Sequence, residues 1–174
     1  DARSRRILVF GGSQGAKALN ELVPGAVAAV ARRRDLAVLH QTGEAMRDAV
    51  ERRYRELGVN AEVVSFIDDM ARAYASAAVV ICRAGATTVA ELCALGRASV
   101  LIPLPSAADD HQTRNAEALV RAGAAILMPE RALTAEALTE QLDELFGDPS
   151  RRCSMATAAR RLGRPEAAAA IVDD

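Results

Sequence analysis

Six short apolar runs, each closed by a polar or glycine turn and followed by a helical pattern, constrain this chain most. They occupy residues 6–10, 36–40, 61–65, 79–82, 99–103 and 125–128. The first holds Ile7, Leu8, Val9 and Phe10; the fourth is Val79-Val80-Ile81-Cys82. A strand covered on both faces reads as a continuous apolar run, whereas a half-exposed one alternates. Strands that alternate with helices form a parallel sheet with crossover helices. The expected fold is α/β, a doubly wound parallel sheet of about six strands in one domain.

The helical patterns fill the gaps. Leu19, Leu22, Val27 and Val30 mark the first, and Pro24 is expected to break it in two. Residues 45–57 read as an exposed helix with Arg and Glu at helical spacings, ended by Gly58. Asp68 or Asp69 is placed to cap a short helix through Tyr74. Helices are expected over 88–95, ended by Gly96, over 112–122 and over 134–146. The core spans about 6–147, and a helical tail covers 150–174 with a break near Gly163-Arg164-Pro165.

Composition narrows the function. The net charge is −1 and aromatic residues make up 3%, so neither a basic field nor base-stacking platforms point to nucleic acid. Cys82, Cys93 and Cys153 have no C-x-x-C spacing, so no disulfide framework or zinc site is expected, and a reducing cytoplasm fits. No apolar run reaches the ~18 residues of a membrane span. The chain opens almost directly on a core strand with no signal peptide before it, and the expectation is a domain excised from something longer.

In an open α/β sheet, ligands bind beyond the carboxyl ends of the strands. Gly11-Gly12-Ser13-Gln14-Gly15 after the first strand is neither a Walker loop nor G-x-G-x-x-G. It reads either as a phosphate cradle or as a tight turn with Ser13 as N-cap. His40 reads as a strand-end histidine with satisfied hydrogen bonds. Asp68-Asp69 and Asp109-Asp110 precede helices and read as caps rather than metal ligands. Thr88-x-x-Glu91 has the form of a capping box. The Glu91 carboxylate also suits a ribose diol, and the two readings stay open. Gln112 and Asn115 carry the paired donors and acceptors that sugar hydroxyls need; a solvent-facing helix start is the alternative.

Five motifs stand in order: Gly11-Gly12-Ser13-Gln14-Gly15-Ala16, His40-Gln41-Thr42-Gly43, Phe66-Ile67-Asp68-Asp69-Met70, Arg83-Ala84-Gly85-Ala86-Thr87-Thr88 with Glu91, and Asp110-His111-Gln112 with Asn115. Together they resemble the carboxyl-terminal half of the MurG family, bacterial N-acetylglucosaminyltransferases that make lipid II. The resemblance implies the donor domain of a two-domain GT-B glycosyltransferase, binding UDP-N-acetylglucosamine without a cofactor or a protein-bound metal. It implies that Ser13, with Gln14 beside it, meets the diphosphate side. Ile67 meets the uracil, with Met70 alongside. Ala86, Thr87 and Thr88 face the phosphates, Glu91 the ribose, and Gln112 and Asn115 the sugar hydroxyls.

The family's amino-terminal domain holds the lipid I site, the general base and the membrane-facing patch. That domain is expected to be absent here, so no catalytic residue is assigned to this chain. The implied location is the cytoplasmic face of the bacterial inner membrane, with contact only through the missing domain. The second reading is a non-catalytic nucleotide-sugar-binding subunit of a split N-acetylglucosaminyltransferase. A third, an ordinary NAD- or flavin-binding domain, lacks its glycine fingerprint.

Overall fold

A computed structural model of the chain describes residues 5–12, 15–105 and 110–163. The strands are β1 (Arg6–Phe10), β2 (Ala37–Gln41), β3 (Asn60–Val64), β4 (Val79–Cys82), β5 (Ser99–Leu101) and β6 (Ala125–Leu127). The helices are α1 (Lys17–Ala31), α2 (Arg47–Glu56), α3 (Met70–Ser76), α4 (Ala86–Leu95), α5 (His111–Arg121), α6 (Ala135–Gly147) and α7 (Pro149–Leu162). The strands form one six-stranded sheet in the order β3-β2-β1-β4-β5-β6, and every pairing is parallel. Strand order reverses between β1 and β4, where a doubly wound sheet opens a crevice.

The period of two along each strand sorts the core into two layers. Ile7, Val9, Val38, Val79, Ile81 and Val100 face α1, α2 and α6. Leu8, Phe10, Leu39, Val80, Cys82 and Leu101 face α3, α4 and α5, with Ala159 of α7 among them. β4 is buried along its whole length, which is why it reads as an unbroken apolar run. Burying a large aliphatic side chain contributes about 1.5–3 kcal/mol, so these layers fix which strand ends meet.

Several boundaries differ from expectation. Pro24 does not break α1, which runs unbroken with Pro24 buried inside it. The missing N–H costs one helical bond, but Leu19, Val23, Val27 and Val30 are wholly buried on the same helix. Their burial between the sheet and α6 outweighs the local loss. The helix expected over 45–57 opens as a 3-10 turn at Glu44–Met46 before α2, and its inner face buries Val50 and Tyr54. Its outer face carries the spaced ion pairs Arg47–Glu51 (3.5 Å) and Arg55–Glu51 (3.6 Å). The fifth strand stops at Leu101, short of Pro103. Asp69 is the cap of α3, accepting from the Arg72 N–H at 2.9 Å. The tail is helical over Pro149–Leu162 and leaves the helix at Gly163; residues 164–174 lie outside the described residues.

Candidate functional site

Two helices start at the switch point without side-chain caps. α1 follows β1, and its N-cap, Ala16, has no side-chain oxygen to offer. α4 follows β4 and begins at N-cap Gly85. The first helical bond of α4 is Val89 N–H to Gly85 O at 2.9 Å, so the N–H groups of Ala86, Thr87 and Thr88 have no acceptor inside the helix. Neither first turn carries an acid. Between these helices lies a cleft of about 440 Å³, lined among others by Gly12, Gly15, Lys17, Gly85, Thr88 and Gln112. Open N–H donors, two helix dipoles and one lysine make this an anion-favouring place.

A second pocket of about 420 Å³ adjoins the first at Gly12. Phe10, Phe66, Ile67 and Met70 give it apolar walls, and Thr87 and Glu91 bring polar groups to it. Phe66 is 59% exposed, unusual for an aromatic side chain in a protein with so few. The pair of pockets suits a ligand with a flat apolar end and an anionic middle.

The capping box is not formed. α4 starts at Ala86, three residues earlier than the T-x-x-E pattern with Thr88 as N-cap indicates, so Thr88 lies within the first turn and Glu91 in the second. Glu91 cannot reach the helix start. Its Oε2 accepts a hydrogen bond from the Tyr74 hydroxyl at 2.9 Å. Tyr74 is buried edge-on against Phe10, with ring centroids 5.9 Å apart. Burial first, then nearby negative charge and the bond to Glu91, pushes the Tyr74 phenol above its ordinary pKa, so it stays a donor.

The amide pair at the start of α5 holds the backbone of the loop before α4. Gln112 Oε1 accepts from the Ala84 N–H at 3.2 Å and the Leu104 N–H at 3.0 Å. Asn115 Nδ2 donates to the Ala84 carbonyl at 3.0 Å. Both polar groups of Ala84 are therefore held from a single helical turn, and the loop before α4 is fixed to α5. Beside it, Arg83 Nη1 meets Glu130 Oε2 at 2.6 Å and the carbonyls of Ile102 and Pro103 at 3.1 and 3.2 Å. Its charge is matched before any ligand arrives.

The opposite wall rests on a buried polar network. Asn20 Nδ2 donates to the Thr42 carbonyl at 3.0 Å, so its Oδ1 is left to accept from His40 Nε2 at 3.1 Å. His40 Nδ1 then accepts from the Tyr54 hydroxyl at 3.0 Å. Burial pushes the His40 pKa down from 6.5 to about 3. The expected satisfied histidine is present, and it anchors the turn on which the glycine loop lies. Gly15 has φ +76°, and a Cβ there would stand 1.9 Å from the Thr42 carbonyl oxygen.

Of the residues singled out from sequence, Ile67, Met70, Thr87 and Glu91 share the apolar pocket, while Thr88 and Gln112 line the polar cleft. Ala86 is exposed on the first turn of α4, and Asn115 is half-buried behind Ala84. Ser13, Gln14 and Asp109 lie outside the described residues. Tyr74, Lys17 and the Arg83–Glu130 pair were not assigned roles from sequence. Tyr74 sits four residues beyond Met70 on α3, a helical spacing that puts both on one face. Among the described residues no three His, Cys, Asp or Glu side chains group in a way that could hold a metal.

Sheet order, switch-point cleft and uncapped helix starts define a Rossmann-like domain of the GT-B glycosyltransferase type. The chain belongs to glycosyltransferase family 28: residues 6–171 match the family's C-terminal domain. It is 53% identical over 171 residues to the UDP-N-acetylglucosamine–N-acetylmuramyl-(pentapeptide) pyrophosphoryl-undecaprenol N-acetylglucosamine transferase of Stutzerimonas stutzeri (strain A1501), covering 98% of this chain and 48% of that protein. It is 54% identical over 168 residues to the protein of the same name from Xanthomonas euvesicatoria pv. vesicatoria (strain 85-10), covering 97% of this chain and 39% of that protein. The crystal structure of Acinetobacter baumannii MurG superposes with a TM-score of 0.91 at 39% identity, over 98% of this chain and 49% of that one. The chain thus spans about half the length, or less, of the relatives it matches.

Proposed function

We propose that this chain binds UDP-N-acetylglucosamine in the switch-point cleft, as the donor half of an inverting transferase that carries N-acetylglucosamine to lipid I. The observation that carries this reading is the junction at Gly12, where an anion-favouring cleft between two uncapped helix starts meets an apolar pocket walled by Phe10, Ile67 and Met70. The names of the relatives supply the donor and acceptor.

In this reading uracil lies against Ile67 and Met70, and the ribose diol donates to Glu91. The diphosphate takes Ser13, Gln14 and the N–H groups of Ala86, Thr87 and Thr88. The Gln112 amide N–H₂ meets the sugar, since its carbonyl oxygen already holds two backbone N–H groups, and Asn115 supports it through Ala84. Glu91 beside a diphosphate would be repelled, so the anchored carboxylate belongs on the ribose side. As the glycosidic bond breaks, negative charge grows on the departing UDP, and donors preorganised at helix starts stabilise it.

Inversion also needs a base on the acceptor hydroxyl. In this reading the base, the lipid I site and the membrane contact belong to the other half of the whole protein. That protein works peripherally on the cytoplasmic face of the bacterial inner membrane, in peptidoglycan synthesis. The 174-residue chain alone binds donor and does not transfer it.

Calorimetric titration with UDP-N-acetylglucosamine, UDP-glucose and NAD tests the binding claim. A UDP-sugar is expected to bind at one site and NAD to bind more weakly or not at all. Tightest binding of NAD, or none of any UDP compound, would refute the assignment. Turnover of a lipid I analogue by this chain alone would refute the division of labour.

A further inference from the structure

We infer that Glu130 is a further determinant of donor specificity: with Gln112 it grips two neighbouring hydroxyls of the transferred sugar. This inference rests on the donor-binding reading above. Sheet order sets the direction of the ligand. Phe66 and Ile67 follow β3 at one edge of the sheet, the two uncapped helix starts follow β1 and β4 at its middle, and Glu130 follows β6 at the other edge. A base in the apolar pocket and a diphosphate at the helix starts therefore send the sugar toward β5 and β6. There Gln112 and Glu130 line the cleft of about 440 Å³.

The local sequence holds Glu130 in place. It opens the 3-10 turn Glu130–Ala132 directly after Pro129, whose ring fixes φ, here −59°. The Glu130 carbonyl accepts from the Leu133 N–H at 3.1 Å, and Leu133 is buried in the core. The carboxylate is drawn to Arg83, with Oε2 2.6 Å from Nη1. That contact is charge on charge. Nη1 carries two hydrogens, and the Ile102 and Pro103 carbonyls take both, so Oε2 is buried without a hydrogen bond. Oε1 is the open face of the carboxylate: it has no hydrogen-bond donor among the described residues, and the side chain is 29% exposed.

Gln112 is fixed in the complementary sense. Its Oε1 is held by the Ala84 and Leu104 N–H groups, which leaves both hydrogens of Nε2 to the cleft. Glu130 is anchored on Arg83 and Gln112 on Ala84, so an acceptor and a donor are fixed to consecutive residues of the turn before α4. A hydroxyl both donates and accepts, and an acceptor beside a donor suits two hydroxyls on adjacent ring carbons. N-acetylglucosamine has one such pair, at C3 and C4.

The test is calorimetric titration of UDP-N-acetylglucosamine, its 3-deoxy and 4-deoxy analogues, and UDP into the chain, Glu130→Gln and Glu130→Asp. In Glu130→Gln, affinity for the UDP-sugar is expected to fall about tenfold, while that for UDP, which has no sugar, stays within about twofold. Glu130→Asp keeps the charge beside Arg83 but withdraws the oxygens from the cleft. It is expected to give the same split, and it serves if the first variant fails to fold. In the unaltered chain at least one deoxy analogue should bind more weakly than the parent, and that penalty should shrink in the variants. Equal losses for UDP and the UDP-sugar, or a deoxy penalty that the variants leave unchanged, would mean that Glu130 only neutralises Arg83. Either result would overturn the inference and leave the donor reading intact. Absence of UDP binding by the unaltered chain would remove both.

Discussion

The Tyr74 hydroxyl donates to Glu91 Oε2 at 2.9 Å, linking the short helix after β3 to the helix after β4 across the mouth of the apolar pocket. The bond aims one carboxylate oxygen at Tyr74 and leaves the other for a ligand. Tyr74→Phe keeps the ring contact with Phe10 and removes only this bond. It is expected to lower stability by about 1 kcal/mol and to weaken UDP binding severalfold by freeing the carboxylate. Chemical denaturation and calorimetry read the two effects separately. Unchanged UDP affinity would mean that the orientation of Glu91 does not matter to the ligand.

Gly15 is the position where the glycine loop depends most on lacking a side chain. Its φ is +76° and an added Cβ would overlap the Thr42 carbonyl oxygen. Gly15→Ala must displace the loop or the Thr42 turn, at a cost of about 1–3 kcal/mol. Thermal unfolding should show the loss, and UDP affinity should fall with it.

Asn115 acts on the site through Ala84. Asn115→Ala leaves the Ala84 carbonyl without its donor and loosens the loop before α4. The expected cost is about 1–2 kcal/mol of stability. Amide exchange at Gly85 and Ala86 should quicken, while Tyr74 and its surroundings stay unchanged. Exchange that is unaltered at those two amides would show that Gln112 alone fixes the loop.

His40 gives the fold a pH dependence. Its folded pKa is about 3 and its ordinary value 6.5, so between these values the unfolded chain binds a proton that the folded chain excludes. Stability from this group is full above pH 6.5 and is lost as pH falls toward 3. The slope approaches about 1.4 kcal/mol per pH unit within that window. Urea unfolding from pH 7 down to about 5 keeps most carboxylates ionised and isolates the effect. His40→Gln is expected to be less stable at neutral pH and to show a flatter profile. Equal slopes in the two proteins would contradict the burial of a neutral imidazole.

Much of the sheet was legible because parallel strands bury both faces. Ile7 to Phe10 and Val79 to Cys82 announce themselves as apolar runs, and their ends fall where expected. Pro24 and Thr88-x-x-Glu91 misled for the same reason: both are local signals overruled by packing. Burial of four large α1 side chains carries the helix through Pro24, and the helix after Gly85 starts two residues before the pattern that resembles a cap. Gln112 and Asn115 were legible as hydrogen-bonding residues but not as a clamp. Their partners are backbone groups of Ala84 and Leu104, and no side-chain pattern reveals which carbonyl or N–H will stand opposite. Tyr74 was hidden likewise, because its link to Glu91 spans two crossover units.

The central claim is that the Glu91 carboxylate, at the switch point, accepts from the ligand's ribose. Titration of UDP-N-acetylglucosamine into the chain and into Glu91→Gln tests it most directly. The amide oxygen of Gln still accepts from Tyr74, so melting temperature should stay nearly level. Loss of a charged acceptor should weaken binding by about 10–100-fold. Unchanged affinity, or a large fall in melting temperature with affinity preserved, would contradict the claim.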